Sequence, residues 1–433
     1  MKVLVTNVHA QQAYATIRAL RPHAERLLVA SYPTGGLLGR WPHGAFTRLA
    51  DKRCPVPSPV ADWQAGNIQP DNTEREEAYV QAMLDICEAE NVDVIYPSWD
   101  PDVYVLSKNR QRFADRGVLI PVPEFDIAIK ALDKYRTIEA AQAAGFPCPR
   151  THLYENAEDA RSIAAREGFP LVVKPRFTSG GRGLAIVHDI DSLLERLAAE
   201  PAGHVKPIIQ EYIPGGHKES LQFVFDQAGN PAFMFHKKRL RTFRVTARFC
   251  TVSRSAELPP WHRQVSALMR SLGWWGAGGI EVLIDPRDGG HRLMEVNARY
   301  PRQLWNRTEI GINEPLMCLD IARGEYARAL EPYPVGALFV NPVEDVMLLC
   351  LQLLDGGAYR LRRLLGGKES FDPAIAPPSM RRLLGEFSQT WRPGQRRVYD
   401  PYTRHFFQDP LVSLAWWLEY ATWVGGACRR LGR

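Results

Sequence analysis

The first hundred residues alternate short apolar runs with segments of helical periodicity. The runs "KVLVTN", "ERLLVAS" and "VDVIYPS" predict strands, whereas "HAQQAYATIRALRPH" and "EREEAYVQAMLDICEAEN" predict helices. Strands that alternate with helices indicate a parallel sheet, with ligand-binding loops at the carboxyl ends of its strands. The first strand-to-helix turn lacks GxGxxG, so no dinucleotide site is predicted there. We interpret "RCPVPSPV" as a proline-rich extended segment.

The next two hundred residues carry a different pattern. After a boundary near "PVPEFD", one helix is predicted over "DIAIKALDKYRTIEAAQAAG", which Gly145 and the following prolines end. Strands "PLVVKP" and "GLAIV" then flank a glycine-rich loop, and a β-rich stretch runs from "PIIQEYI" to "ARFCTVSR". The strands "GGIEVLID" and "HRLMEVNAR" predict a hairpin across "PRDGG". The last hundred residues are rich in arginine and tryptophan and are predicted to be mainly helical.

Composition narrows the class of protein. The 433 residues, 45% apolar and 24% charged, are typical of a soluble globular chain with several domains. A net charge of +6 fits anionic small molecules at least as well as nucleic acid. The seven cysteines are scattered and never form CxxC, so we expect reduced thiols and no zinc site. The start of the chain is not typical of a signal peptide, and we expect a cytoplasmic protein.

A lysine and a glycine-rich loop follow one another in "PLVVKPRFTSGGRGL". Lys174 ends the apolar run, and the loop then carries three glycines within four residues, Gly180, Gly181 and Gly183. Glycine lets backbone N–H groups converge on an anion, and a neighbouring ammonium group adds positive charge. The pattern therefore predicts a phosphate cradle, although a solvent-facing lysine before a hairpin turn fits it equally well. A Walker A loop is excluded because its lysine follows the glycines.

Carboxylate and amide side chains recur in the predicted hairpin. Glu281 lies on its first strand, and Glu295 and Asn297 lie on its second, where a period of two points both to one face. Oxygen-only ligands suit Mg²⁺ that carries phosphates. Arg299 continues the same face and would reach a phosphate or an acyl phosphate. A salt-bridged hairpin surface is the alternative.

The segment "QEYIPGGHKES" is a candidate nucleotide linker. Glu211, Tyr212 and Ile213 close an apolar strand, and "PGG" breaks it. An adenine ring can bond the backbone of such a linker, and Glu219 is the candidate carboxylate for the ribose hydroxyls. An edge strand followed by a polar loop explains the segment as well.

The segment "HKKRLRTFRVTAR" holds six lysines and arginines in thirteen residues and no acid. Lys237, Arg239 and Arg241 alternate, so a strand would present them on one face to ATP phosphates and a substrate carboxylate. A solvated edge strand is the alternative. No aromatic stacking platform accompanies these charges, so nucleic-acid binding is not expected.

The C-terminal run "DPLVSLAWWLEYATWVGGACRRLGR" places four aromatic residues at helical spacing, Trp416, Trp417, Tyr420 and Trp423. Docking of this stripe on the protein's own core is the commoner use of such a pattern. Contact with a membrane surface is the alternative.

Taken in order, these motifs resemble the ATP-grasp superfamily, of the type found in the carbamoyl-phosphate synthase large chain, from residue 1 to about 325. "CPVPSP" and "VIYPSWDPDVYVLSKNR" resemble the pre-ATP-grasp domain, and "ALDKYRTIEAAQAAGFPCPRT" resembles the entry helix. The resemblance implies an α/β fold in which a parallel α/β domain precedes a two-lobed ATP-grasp domain. The implied domains are a pre-ATP-grasp domain at 1–125, a small lobe with the flap at 126–206, a large lobe at 207–328 and a mainly helical region at 329–433.

The resemblance also implies roles for residues. The implied ATP-binding residues are Lys134, Lys174, Ser179, Gly180, Gly181, Gly183, Glu211, Tyr212, Ile213 and Glu219. The implied ligands of Mg²⁺ or Mn²⁺ are Glu281, Glu295 and Asn297, and Arg299 and Lys174 would act on the transferred phosphoryl group. Two departures are visible: Glu219 lies about one residue further from Glu211 than is common, and Arg299 is followed by the bulky "YPRQLWNRTEIG". The candidate residues for binding the substrate are Lys237, Arg239, Arg241 and Arg302.

The implied activity is ATP-dependent ligation of a small carboxylate to an amine, such as an amino acid, through an acyl phosphate. A carboxylase or phosphate-transferring member of the superfamily is the first rival. A non-catalytic ATP-binding module and a membrane-associated adaptor are the others, and a homodimer is left open.

Overall fold

The computed structural model opens with the predicted parallel sheet. Its strands, in the order β3-β2-β1-β4, are β1 (Lys2–Val5), β2 (Arg26–Ser31), β3 (Lys52–Pro55) and β4 (Val94–Tyr96). The accompanying helices are α1 (Gln11–Leu20), α2 (Thr73–Glu90), α3 (Asp100–Lys108) and α4 (Arg110–Ala114). The chain turns to opposite sides of β1, so the loops after β1 and β4 meet at a crevice suited to ligands. The structure describes residues 1–32, 42–60, 73–178, 181, 183–200, 204–242, 250–326, 330–364 and 379–431.

Strand β3 overlaps the segment "RCPVPSPV", which the sequence indicated as extended but not as a strand. Its first residue pairs with Leu28 of β2, and only Cys54 of its four residues is buried. An edge strand needs few apolar residues, since one of its sides faces water. The apolar pattern therefore could not show it.

The predicted entry helix is two helices, α5 (Phe125–Leu132) and α6 (Lys134–Ala143). Asp133 interrupts them with an extended backbone, and its carboxylate accepts a hydrogen bond from the backbone N–H of Tyr135. An aspartate at this N-cap position satisfies an otherwise unpaired helix donor. The break makes Lys134 the first residue of α6.

The small lobe is an antiparallel sheet with two helices on it. Its strands, in the order β5-β8-β6-β7, are β5 (Thr151–His152), β6 (Leu171–Lys174), β7 (Ala185–Val187) and β8 (Ile208–Glu211). Its helices are α7 (Ala157–Glu167) and α8 (Ile190–Ala198). Lys174 thus ends a strand and opens the glycine-rich loop, as predicted.

The large lobe is a seven-stranded sheet in the order β13-β12-β9-β10-β11-β14-β15. Its strands are β9 (His217–Phe225), β10 (Pro231–Thr242), β11 (Cys250–Ala256), β12 (Gly276–Ile284), β13 (His291–Asn297), β14 (Leu338–Val340) and β15 (Arg397–Tyr399). Its helices are α9 (His262–Leu272), α10 (Trp305–Thr308) and α11 (Glu314–Ala322). Because β14 and β15 complete this sheet, the predicted boundary at residue 328 divides one sheet.

The rest of the C-terminal region is helical, as predicted. Its helices are α12 (Pro342–Leu364), α13 (Met380–Thr390), α14 (Pro401–Arg404) and α15 (Pro410–Leu431). Trp416 and Tyr420 are buried with Tyr14 of α1, so the aromatic stripe docks on the protein's own core. The side chain of Trp423 lies outside the described residues.

One apolar core joins the first sheet to the large lobe. Val3 and Val5 of β1 belong to the same buried cluster as Phe233 and Phe235 of β10 and Trp305 of α10. This packing fixes the carboxyl edge of the first sheet relative to the large-lobe sheet. Among the described residues, no helix combines the length and the apolarity that crossing a membrane requires.

Candidate active site

The metal-ligand candidates meet on one face of the large-lobe sheet. Strands β12 and β13 pair antiparallel, with Glu281 opposite Glu295 and Gly279 opposite Asn297. Residues directly opposite each other, and residues two apart on one strand, point to the same face. The three predicted oxygen ligands are therefore neighbours, as the sequence indicated.

Two carboxylates placed opposite each other repel unless positive charge lies between or beside them. Part of that charge comes from protein: Arg239 donates to Glu281 Oε1 at 3.0 Å, and Lys218 Nζ lies 4.0 Å from Glu281 Oε2. Burial opposes ionisation of Glu281, but the positive charges of Arg239, Lys218 and Lys174 together hold the pKa of this carboxyl below its usual value. Glu281 is therefore held as a carboxylate opposite Glu295.

The donor set fits a hard divalent cation. Two carboxylates and one amide supply only oxygen, which Mg²⁺ prefers, and water or phosphate oxygens can complete its coordination. No group of three His, Cys, Asp or Glu side chains in the described ranges could hold a metal by itself. A metal at Glu281, Glu295 and Asn297 would therefore depend on the amide oxygen as its third protein ligand.

Two buried lysines face this metal set. Lys174 and Lys134 are each 7% exposed, and both feel the charge of Glu295. Lys174 Nζ donates to the backbone carbonyl of Met294 at 2.9 Å, beside Glu295. Lys134 Nζ donates to the carbonyls of Arg176, at 3.2 Å, and of Thr178. Within the described residues neither ammonium group has a carboxylate within 4.0 Å, so both suit an anionic ligand.

Burial shifts the pKa values of both lysines. It lowers the pKa of Lys174 to about 8, although Glu295 opposes this change, and it lowers the pKa of Lys134 for the same reason. A phosphate next to these groups would stabilise their charged forms. One pocket joins the lysine and metal sides, and it is lined by Asp100, Ala131, Leu132, Lys134, Phe177, Thr178, Glu295, Val296 and Asn297.

The glycine loop has the backbone that its sequence predicted. Gly181 and Gly183 have φ values of +68° and +69°, in the left-handed region where other residues are strained. A Cβ on Gly183 would lie 2.8 Å from Cγ of Pro175, so a side chain does not fit there. Ser179 and Gly180, the other predicted loop residues, lie outside the described residues.

The predicted linker follows β8. The Glu211 carboxylate accepts a bond from Arg287 at 2.7 Å and lies 3.3 Å from Arg150, which leaves the backbone as the part of the linker suited to adenine. Tyr212 is half-buried and Ile213 is buried directly after it.

Glu219 lies on the opposite face from the metal set. On β9 it pairs with Val282, whereas its neighbour Ser220 pairs with Glu281. Its carboxylate lies 3.4 Å from His236, whose hydrogen bond lowers the pKa of Glu219. A ribose contact by Glu219 would come from the end of the strand, and it stays a prediction.

The three basic side chains of β10 do not all point to the same region. Lys237 is buried, which lowers its pKa to about 7, and it donates to Gln303. Arg239 bonds Glu281, but the register with β11 shifts between Arg239 and Arg241. Arg241 instead pairs with Asp345 of α12 and donates to Thr390 of α13 at 2.7 Å. The alternation predicted one face for all three, and the β-bulge directs Arg241 into the C-terminal region.

Arg299 and Arg302 contact parts of the chain that the sequence did not associate with them. Arg299 Nε donates to Asp100 Oδ2 at 2.9 Å, across from the loop after β4. Arg302 Nε donates to Gln11 Oε1 at 2.9 Å and lies 5.7 Å from the ring centre of Trp416. The "DPD" after the third predicted strand could have indicated Asp100, since it follows a strand of a parallel sheet.

The C-terminal region completes this arrangement. Gln11 Nε2 and Trp416 Nε1 donate to the same oxygen of Glu344, at 3.0 and 2.9 Å. Glu344 is 4% exposed. Residues of α1, α12 and α15 therefore fix the surroundings of Arg302, and no short motif in the sequence indicated them.

Comparisons with known proteins find matches over parts of this chain. Residues 133–304 match the family described as carbamoyl-phosphate synthase L chain, ATP binding domain, and residues 70–121 match the PylC-like N-terminal domain. Human mitochondrial pyruvate carboxylase is 26% identical over 242 residues, 51% of this chain and 20% of that protein. The carbamoyl phosphate synthase large chain of Thermus thermophilus is 28% identical over 184 residues, 40% of this chain and 18% of that protein. The chain thus matches about a fifth of the length of these curated relatives.

Solved structures share the fold. The biotin carboxylase domain of Hydrogenobacter thermophilus 2-oxoglutarate carboxylase, in complex with MgADP, ADP and bicarbonate, superposes with a TM-score of 0.58 at 19% identity. It covers 76% of this chain and 71% of its own. Biotin carboxylase from Campylobacter jejuni gives a TM-score of 0.57 at 19% identity, over 76% of this chain and 72% of its own. The predicted α/β fold class is confirmed. Residues 133–304 are similar to the ATP-binding domain of the carbamoyl-phosphate synthase large chain, which agrees with the resemblance seen in the sequence.

Proposed function

We propose that this chain is an ATP-dependent ligase that joins a carboxylate to an amine through an acyl phosphate. The observation that supports this most is a pocket lined by Lys134, Glu295 and Asn297. Buried Lys174 feels the charge of Glu295, and Glu281 pairs opposite Glu295 on the neighbouring strand. Phosphoryl transfer needs positioning and charge neutralisation more than covalent help from the protein, and this set supplies both.

In the first step a substrate carboxylate oxygen attacks the γ-phosphorus of ATP, and ADP leaves. Lys134, Lys174 and the flap backbone hold the phosphates, and Arg299 neutralises charge on the transferred group. Glu281, Glu295 and Asn297 would hold Mg²⁺, which would offset the negative charge of the ATP phosphates. The adenine ring would bond the linker backbone at 211–213.

In the second step the amine nitrogen attacks the acyl carbon, phosphate leaves, and the nitrogen loses a proton to give the amide. The acyl phosphate hydrolyses readily, so the glycine-rich flap would have to exclude water while it exists. Lys237 and Arg302 would bind the anionic carboxylate from the acceptor side. A small carboxylate and an amine, such as an amino acid, are the substrates that this scheme requires.

A carboxylase is the second candidate, because the relatives include pyruvate carboxylase and a solved neighbour contains bicarbonate. Hydroxylamine separates the two candidates, since it traps an acyl phosphate as a hydroxamate. With a carboxylate that supports turnover, we expect hydroxamate formation to require ATP, Mg²⁺ and that carboxylate, and to stop in EDTA. Bicarbonate-dependent ADP release without any hydroxamate would instead favour the carboxylase.

Arg299→Ala provides the matched test of the site. It should abolish hydroxamate formation while the protein still folds, whereas Arg254→Ala, at an exposed strand position, should not. ATP binding with no ADP release under any substrate would indicate a nucleotide-binding module and contradict the proposal.

A further inference from the structure

The C-terminal helix is apolar on both sides. Val412, Trp416 and Tyr420 face the core, but Leu411, Leu414 and Leu418 lie on the outer side, 51%, 51% and 45% exposed. Helices on a protein surface normally turn polar residues to water, and helices that are apolar all round are normally covered. The outer side of α15 therefore has the composition of a covered surface.

Phe407, one turn before this helix, extends the apolar surface. It is 94% exposed, whereas the adjacent Phe406 stacks on Trp417 with ring centres 5.5 Å apart. We call the surface formed by Phe407, Leu411, Leu414 and Leu418 the outer apolar surface. Exposure of an aromatic side chain to water is unfavourable, and contact with a partner would bury it.

The charges beside this surface are cationic. Arg48 is exposed, and its backbone N–H donates to Asp409 at the start of α15. Arg404, with 48% of its side chain exposed, lies three residues before Phe407 and pairs with Glu309. Arg18 donates to Gln408 at 3.3 Å.

The carboxylates among these contacts are buried. Asp409 is 1% exposed and accepts bonds from Tyr14 and Thr47, and the Glu309 side chain is 8% exposed. Glu419, directly after Leu418, is 25% exposed and pairs with His43. Exposed Arg48 has no ion pair among the described residues, so it is the group that adds positive charge beside the apolar side chains.

We propose that the outer apolar surface binds a membrane containing anionic lipids. Apolar side chains can enter the boundary between headgroups and acyl chains, while the arginines contact lipid phosphates. A second copy of this chain fits less well, because a two-fold contact through this surface would bring Arg48 and Arg404 of both copies together. The inference does not depend on the reaction proposed above.

Sedimentation of the full chain with vesicles tests the proposal. We expect binding to vesicles of phosphatidylcholine with about 30% phosphatidylglycerol, and little binding to phosphatidylcholine alone. Each arginine near an anionic surface contributes about a fivefold change in binding, so Arg48→Glu should weaken binding at least fivefold. Added salt should weaken it in the same direction.

Leu411→Gln with Leu414→Gln, and separately Phe407→Ser, should also weaken vesicle binding at least tenfold. Leu153→Gln, at an apolar position of the small lobe that is 37% exposed, and Arg53→Glu, at an exposed position of β3, are the matched controls and should not change it. Because all of these side chains are exposed, thermal unfolding should stay unchanged.

Absence of binding to anionic vesicles at low salt would overturn the proposal. A dimer by light scattering that Leu411→Gln with Leu414→Gln converts to a monomer, without any vesicle binding, would assign the surface to a second copy instead.

Discussion

On the proposed nucleotide side of the site, Lys134 and Lys174 donate to backbone carbonyls. On the proposed acceptor side, Arg299 and Arg302 of "ARYPR" donate to side chains from distant parts of the chain. The first arrangement leaves buried charge that a phosphate can neutralise. The second fixes guanidinium groups before any ligand arrives. Residues 133–304, which match the ATP-binding family, contain the first arrangement, but Asp100, Gln11 and Glu344 lie outside them. The proposed nucleotide side is thus contained in the matched range, whereas residues from the whole chain form the proposed acceptor side.

The strongest test of this comparison removes a metal ligand. Glu295→Gln takes away one of two opposed carboxylates, and we expect turnover of ATP to fall at least 100-fold, about 2.7 kcal/mol of transition-state stabilisation. Asn297→Asp should act differently, because it adds charge at the same place, and its Mg²⁺ requirement should shift to lower concentration. ADP release against Mg²⁺ concentration measures both, with the exposed Glu158→Gln as control. Turnover that persists in EDTA would contradict the metal site.

The second prediction concerns Lys174. Lys174→Ala should weaken ATP binding at least tenfold, about 1.4 kcal/mol, and Lys206→Ala, at an exposed lysine, should not. Because the pKa of Lys174 is about 8, raising the pH through 8 removes its charge and should weaken ATP binding to the free protein. Lys174→Arg keeps its charge at this pH, so its affinity should lose this pH dependence. Equal pH profiles for wild type and Lys174→Arg would argue against Lys174 as a phosphate ligand.

A smaller effect is expected from the C-terminal region. Trp416→Leu removes both the indole beneath Arg302 and the bond to Glu344, so the KM for the carboxylate should rise about five- to tenfold. Trp416→Phe keeps a ring beneath Arg302 and should raise this KM less. The affinity for ATP should stay unchanged in both variants, because the nucleotide side does not use these contacts. A parallel loss of ATP affinity would show that the two sides are not built separately.

The smallest effect concerns Glu219. If it bonds a ribose hydroxyl from the strand end, Glu219→Gln should weaken ATP binding about three- to fivefold, the range for one hydrogen bond. The same variant should bind 2′-deoxy-ATP about as well as wild type does. If both nucleotides weaken equally, Glu219 acts through its pair with His236 and not through the ribose.

The sequence alone indicated much of the nucleotide side, because its chemistry is carried by short segments. A lysine at a strand end, glycines that need left-handed backbone, and a period of two that aligns Glu295 with Asn297 are all local properties. Local properties are set by a few neighbouring residues, so their patterns can be recognised in the chain. The fold class followed in the same way from the alternation of strands and helices.

Tertiary structure decided the rest. The helix break at Asp133 places Lys134 at a helix start, and it depends on packing. The edge strand β3 depends on strand pairing. Neither feature leaves a clear apolar pattern in the sequence. Alternation had predicted that Arg241 shares one face of β10 with Lys237 and Arg239. The β-bulge instead directs Arg241 to Asp345.

The acceptor side depends on tertiary structure most. Gln11 is 291 residues from Arg302 and 333 residues from Glu344 along the chain. It meets them only because α1, α12 and α15 pack together around one buried carboxylate. The amino-acid sequence therefore indicated the candidate ATP-binding residues, since short segments of the chain carry them. Only the folded chain decided what surrounds the acceptor, since burial and hydrogen bonding there join residues with no shared local pattern.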